Sequence, residues 1–166
     1  MPRFTDESEF YYLAFTAVFV LLMITIIDWV FTIDVIQAAG ASNAPIYGGY
    51  YLGMVLVGLT VIAPIALFVY IVRREWSSLV VWTLALAIPL ISGSEDLLYY
   101  AVWLAQPENY GNSWSTWTWL DANPFVAWTN PVFGSQNVTT TQLWISAGIG
   151  WLVVAVVVYA YFELAD

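Results

Sequence analysis

The residues best placed to do chemistry are carboxylates set inside or at the ends of apolar runs: Asp28, Glu95 and Asp96. Thr25 and Thr32 stand three residues before and four after Asp28, which on a helix makes one polar stripe that should face other protein and not lipid. Glu95 shares a helical face with Tyr99, and Asp96 with Tyr100, so each acid has a phenol one turn away. Adjacent helical residues point about 100° apart, so one of Glu95 and Asp96 is expected to face Asp28 directly. If two such carboxyls meet in a dry setting, either one must hold a proton or a cation must sit between them. Oxygen-only donors suit Ca²⁺, Mg²⁺ or Na⁺ and argue against zinc or copper, although no EF-hand spacing is present. The competing expectation is that these acids merely end helices at the surface. A charge at the bilayer centre costs about 2.5 to 3.5 kcal/mol and less toward the interface, so position there needs no function.

Other chemistries are closed to the chain. It has no Cys and no His, which removes disulfides, thiol nucleophiles, Cys/His zinc sites, His-ligated haem and His-based triads. GxGxxG and GxxxxGK[ST] are absent, so neither haem, zinc nor nucleotide leaves a signal, and any cofactor is unknown. Twelve acids against three Arg and no Lys give a formal charge of -9, which excludes nucleic acid as a partner and disfavours a polybasic lipid anchor. With a pI near 4.1, the composition resembles that of proteins from salt-loving archaea, where dense surface acid maintains solubility in concentrated salt.

The elements that must position the acids are transmembrane helices. Of 166 residues, 61% are hydrophobic and 9% charged, and the mean hydropathy is +0.78. Peptide groups in hydrocarbon must be paired within the segment, and a span takes about 20 apolar residues, so the expectation is an all-α integral membrane protein. Apolar runs predict four spans at about 10–33, 50–73, 77–104 and 141–163, forming a single membrane domain over 1–166. The first run follows Asp6, Glu7 and Glu9, an acidic lead that reads as a retained helix and not a cleaved signal. Arg3 before the first span and Arg73–Arg74 between the second and third predict both termini in the cytoplasm of a multi-pass cell-membrane protein. The triplet Asn137, Val138, Thr139 is then an outward glycosylation candidate.

Local signals refine this bundle. Counted at about 1.5 Å per residue, Asp28, Glu95 and Asp96 reach one layer near the outer interface, with Asp34 further out. Pro89 followed by Ser92, Gly93 and Ser94 could interrupt the third span, with Ser94 capping a new helix whose first turn carries both acids. Pro64 permits a kink in the second. Gly49 with Gly53, and Ser146 with Gly150, offer small-residue packing faces. Tyr11, Tyr12, Tyr70, Trp76, Tyr159 and Tyr161 are expected in the inner aromatic belt, and Trp29, Tyr50, Tyr51, Tyr99, Trp103 and Trp144 in the outer. The loop over 106–140 carries Trp114, Trp117, Trp119 and Trp128. It is expected to lie on the outer interface and bring Asp121 over the membrane acids as a further oxygen donor.

Three functional classes remain. Asp28, Glu95, Asp96 and Asp121, with Tyr99, Tyr100, Thr25 and Thr32, would bind or help conduct a cation or proton. The chain could instead be a non-catalytic subunit of a larger membrane complex, or a homo-oligomer, with lipids as its other partners. An acid/base enzyme acting on an isoprenoid or other lipid would need an aromatic-lined apolar cavity beside a protonated and an ionised carboxyl.

Overall fold

A computed structural model describes residues 6–31, 44–104, 130–133 and 139–164. All regular structure among them is helical: α1 (Asp6–Phe31), α2 (Ala44–Arg73), α3 (Trp76–Ile91), α4 (Ser94–Leu104), α5 (Asn130–Phe133) and α6 (Thr140–Leu164). Three stretches are long and apolar enough to cross a membrane unaided: Glu7–Val30, Gly53–Arg73 and Thr141–Glu163. A fourth crossing exists if α3 and the first part of α4, bent by 50° at their junction, count as one. Only 33%, 22% and 33% of the residues in the most apolar windows of those three stretches are buried by protein, so the remaining apolar surface requires lipid.

Helix α3 is the centre of the assembly, packed against α1, α2 and α6, while α4 leans on α1 and α6. Leu13, Ala17, Val20 and Ile24 of α1, Ile62, Ala66 and Val69 of α2, Val81, Trp82, Ala85 and Leu86 of α3, and Val154 and Val158 of α6 form one core. The α2–α3 connection is very tight. Arg74 donates its N–H to Tyr70 O at 2.7 Å and adopts φ 62°, and the chain re-enters a helix at Trp76. Helix α6 starts with a reciprocal capping box, in which Thr139 N–H reaches Gln142 Oε1 at 2.8 Å and Gln142 N–H reaches Thr139 Oγ1 at 3.2 Å.

The break after α3 has a local cause. Pro89 has no N–H to donate back into its helix, and Ser92 N–H closes the last turn on Ile88 O at 2.9 Å. Gly93 then takes φ 92°, a conformation that costs a residue without Cβ little. Its carbonyl accepts Leu97 N–H at 3.1 Å, so Gly93 occupies the cap position assigned above to Ser94, and Ser94 is the first residue of α4. Pro64, by contrast, lies within an uninterrupted α2.

Three sequence expectations are corrected. Gly53 is exposed, and among the described residues no atom lies within 4 Å of where a Cβ would stand, so it packs against none of them. The α2–α3 approach is made at Gly58, where a Cβ would meet Leu90 Cδ1 at 3.4 Å. Tyr99 and Tyr161, expected in the aromatic belts, are buried against protein, whereas Tyr11, Tyr12, Trp76, Tyr159 and Trp144 are exposed. The Ser146–Gly150 pair does pack: a Cβ at Gly150 would fall on the side chain of Ser92, which places α6 directly against the helix break.

Candidate functional site: two polar layers at opposite ends of the bundle

Helix α1 is long enough to carry a buried acid near each end, Glu9 and Asp28, about 28 Å apart along its axis. Polar side chains from the other helices gather at these two levels.

At the Asp28 level, α4 crosses α1 and presents its first turn. Asp28 and Asp96 are each 3% exposed. The carboxyls of Asp28 and Glu95 lie within hydrogen-bond reach of each other, with Asp96 close enough to act on Glu95 electrostatically. Glu95 Oε1 is enclosed, and no N–H or O–H among the described residues donates to it. Glu95 is therefore the acid of α4 that interacts with Asp28, and Asp96 is buried beside it. The chain bends by 50° between α3 and α4, at Gly93, and α4 packs against α1.

The surroundings are aromatic and hydroxylic. Tyr99 is buried, its ring 5.0 Å from that of Trp29, and Tyr100 is half-buried. Trp151 of α6 donates Nε1–H to Ser94 Oγ at 3.1 Å, Ser94 Oγ is 3.5 Å from Ser92 Oγ, and Ser92 Oγ donates to Pro89 O at 3.1 Å. Thr25 is buried as its stripe predicts, but its hydroxyl is committed to Leu21 O at 2.9 Å and not to the acids. Thr32, Asp121 and Asn137 lie outside the described residues.

The opposite layer was not anticipated as a site. Glu9 is fully buried. Its Oε2 is 2.9 Å from Arg73 Nε, while its Oε1 accepts Trp82 Nε1–H at 3.0 Å and Tyr161 O–H at 3.2 Å. Tyr161 OH is also 2.6 Å from Ser78 Oγ. The start of α1, the end of α2, the start of α3 and the end of α6 are thereby tied at one acid. In the sequence Glu9 reads as part of an acidic lead, Arg73 as a topology marker and Tyr161 as a belt residue. The available signal was Glu9 leading Leu13 and Ala17 at four-residue steps along one face.

The two layers differ in kind. Glu9 is matched by a guanidinium and two neutral donors, so this layer is electrostatically closed. Asp28, Glu95 and Asp96 are three acids in one place, while Arg73 and Arg74 sit at the far end of the bundle. Carboxylates brought together in a low-dielectric setting repel one another. No set of three or more acidic groups among the described residues is arranged to hold a metal ion. An open groove of about 510 Å³ between α3 and α6 is lined by Trp76, Ser77, Val80, Val81, Val157, Ala160 and Tyr161, and none of the acids borders it. The acid/base enzyme expected to pair a lipid cavity with carboxyls gains nothing from this groove. Set beside protein-family models, curated proteins and solved structures, the chain matches none.

Proposed function

We propose that the chain is a small multi-pass membrane protein whose Asp28–Glu95 pair binds a proton at its outward end. In this reading the protein is a four-span bundle with α3 and α4 as one broken crossing. Arg73 and Arg74 lie on the cytoplasmic side with both termini, and Asp96, Tyr99 and Tyr100 flank the pair.

One observation carries the proposal: the enclosed Glu95 Oε1 has no donor among the described residues, and Asp28 is a second carboxyl that interacts with the Glu95 side chain. Two carboxyls can share a hydrogen bond only if one of them is the donor, and a carboxyl donates only with its proton on. The break supports the same conclusion. Interrupted helices beside buried charge are the recurring way in which membrane proteins hold small ions, because the first turn of the second half presents free N–H groups.

The test is infrared difference spectroscopy of the protein in lipid, stepped between low and high pH. A carboxylic C=O band that moves with pH in the native chain should disappear in both Asp28→Asn and Glu95→Gln, with helicity and elution volume unchanged. If the same band survives in both variants, the proton is bound elsewhere and the proposal fails.

A further inference from the structure

The two polar layers are separated by a stretch with no buried polar side chain on α1. Between Leu13 and Ile24 every buried side chain of α1 is hydrocarbon: Leu13, Ala17, Val20, Leu21 and Ile24. The facing side chains continue this layer, with Ile62, Ala66 and Val69 from α2, Ala85 and Leu86 from α3, and Val154 and Val158 from α6. Thr83, at the same level, commits its hydroxyl to Leu79 O at 2.7 Å. The layer is about 16 Å deep along α1. A proton crosses protein by hopping between hydrogen-bonding groups or waters, and a mainly apolar layer of this depth, with the half-buried hydroxyls of Thr16 and Thr83 in it, presents no continuous chain of such groups among the described residues.

Below the layer Glu9 is held by its ion pair with Arg73 and by hydrogen bonds from Trp82 and Tyr161. Above it, the charged or titratable groups near Glu95 among the described residues are Asp28 from α1, with Asp96, Tyr99 and Tyr100 on α4 itself. The packed faces of α3 and α6 contribute the neutral Ser92 and Trp151.

We propose that the Asp28–Glu95 site exchanges its proton with one face of the membrane only, the face at the α3–α4 break. The chain then loads and releases protons in response to pH on that side without passing them across. This rests on the pair being a proton site, and it narrows that function from conduction to one-sided sensing or storage.

The chain lacks cysteine, so a single thiol reports orientation. The Glu75→Cys variant, in the exposed α2–α3 turn, is reconstituted at low protein-to-lipid ratio into vesicles of neutral phospholipid and treated with a membrane-impermeant biotin maleimide. Vesicles captured on streptavidin have the Glu9 end outward, and those that flow through have the break outward. After an external pH step, the flow-through vesicles should show the carboxyl band shift at once. The captured vesicles should show none until a protonophore is added, and then the full shift.

An immediate shift in captured vesicles before the protonophore overturns one-sided access while leaving the proton site standing. A band that moves in neither population, even with the protonophore, removes the proton site itself and the inference with it. The Glu95→Gln change on the same background should abolish the shift in both populations, and a shift that persists there also counts against the proposal.

Discussion

Arg73 Nε lies 2.9 Å from Glu9 Oε2, an ion pair joining the end of α2 to the start of α1 with the acid fully out of solvent. Removing one partner of a buried pair leaves the other uncompensated, which typically costs about 3 kcal/mol, whereas removing both costs much less. Arg73→Met should therefore lower resistance to denaturing detergent by about that amount, and Glu9→Gln combined with Arg73→Met should restore most of it. The measurement is an unfolding titration on the singles and the double. Additive losses would show that the pair is not coupled.

Gly150 lies so close to Ser92 that any side chain at 150 must displace it. Gly150→Ala is expected to destabilise the chain by about 1 to 3 kcal/mol through overpacking, and Ser92→Gly in the same chain should recover part of the loss. Gly53→Ala is the internal control. Nothing stands within 4 Å of its Cβ, so it should be neutral or slightly stabilising. Thermal denaturation of the three variants in one detergent distinguishes these outcomes.

Arg74 holds φ 62°, a conformation that disfavours any residue with a Cβ. Arg74→Gly should raise stability by roughly 1 kcal/mol if the turn is retained, because the left-handed strain is relieved. A loss of stability would mean that the Arg74 side chain contributes more than its backbone costs. Melting in the same detergent as above decides it.

Trp151 reaches Ser94 through one hydrogen bond, the polar tie between α6 and the start of α4. Trp151→Phe should remove about 1 kcal/mol and speed hydrogen exchange at the α4 amides more than at those of α1 or α2. Uniform exchange across the helices would show that the bond does not restrain the break.

The crossing helices and the interruption after Pro89 were legible because length, Pro and Gly act through the backbone alone. Asp28 and the Glu95–Asp96 pair were legible for a related reason: a carboxylate in an apolar run stands out whatever it touches. Glu9 did not stand out, since Asp6 and Glu7 precede it and make it look like ordinary headgroup-level acid. In a helix apolar on all sides, hydrophobic period does not separate the protein-facing side from the lipid-facing one. Tyr161, Tyr99 and Gly53 were therefore assigned to the wrong surroundings, and only packing sorts them.

The Glu9 cluster also has a consequence for biogenesis. Its members leave the ribosome in the order Glu9, Arg73, Ser78, Trp82, Tyr161, so the oppositely charged partners are present before any neutral donor. The guanidinium can settle against the waiting acid as soon as the second helix has entered the bilayer. Trp82 and later Tyr161 then close over a contact already made, and α6 becomes the bolt that seals α1.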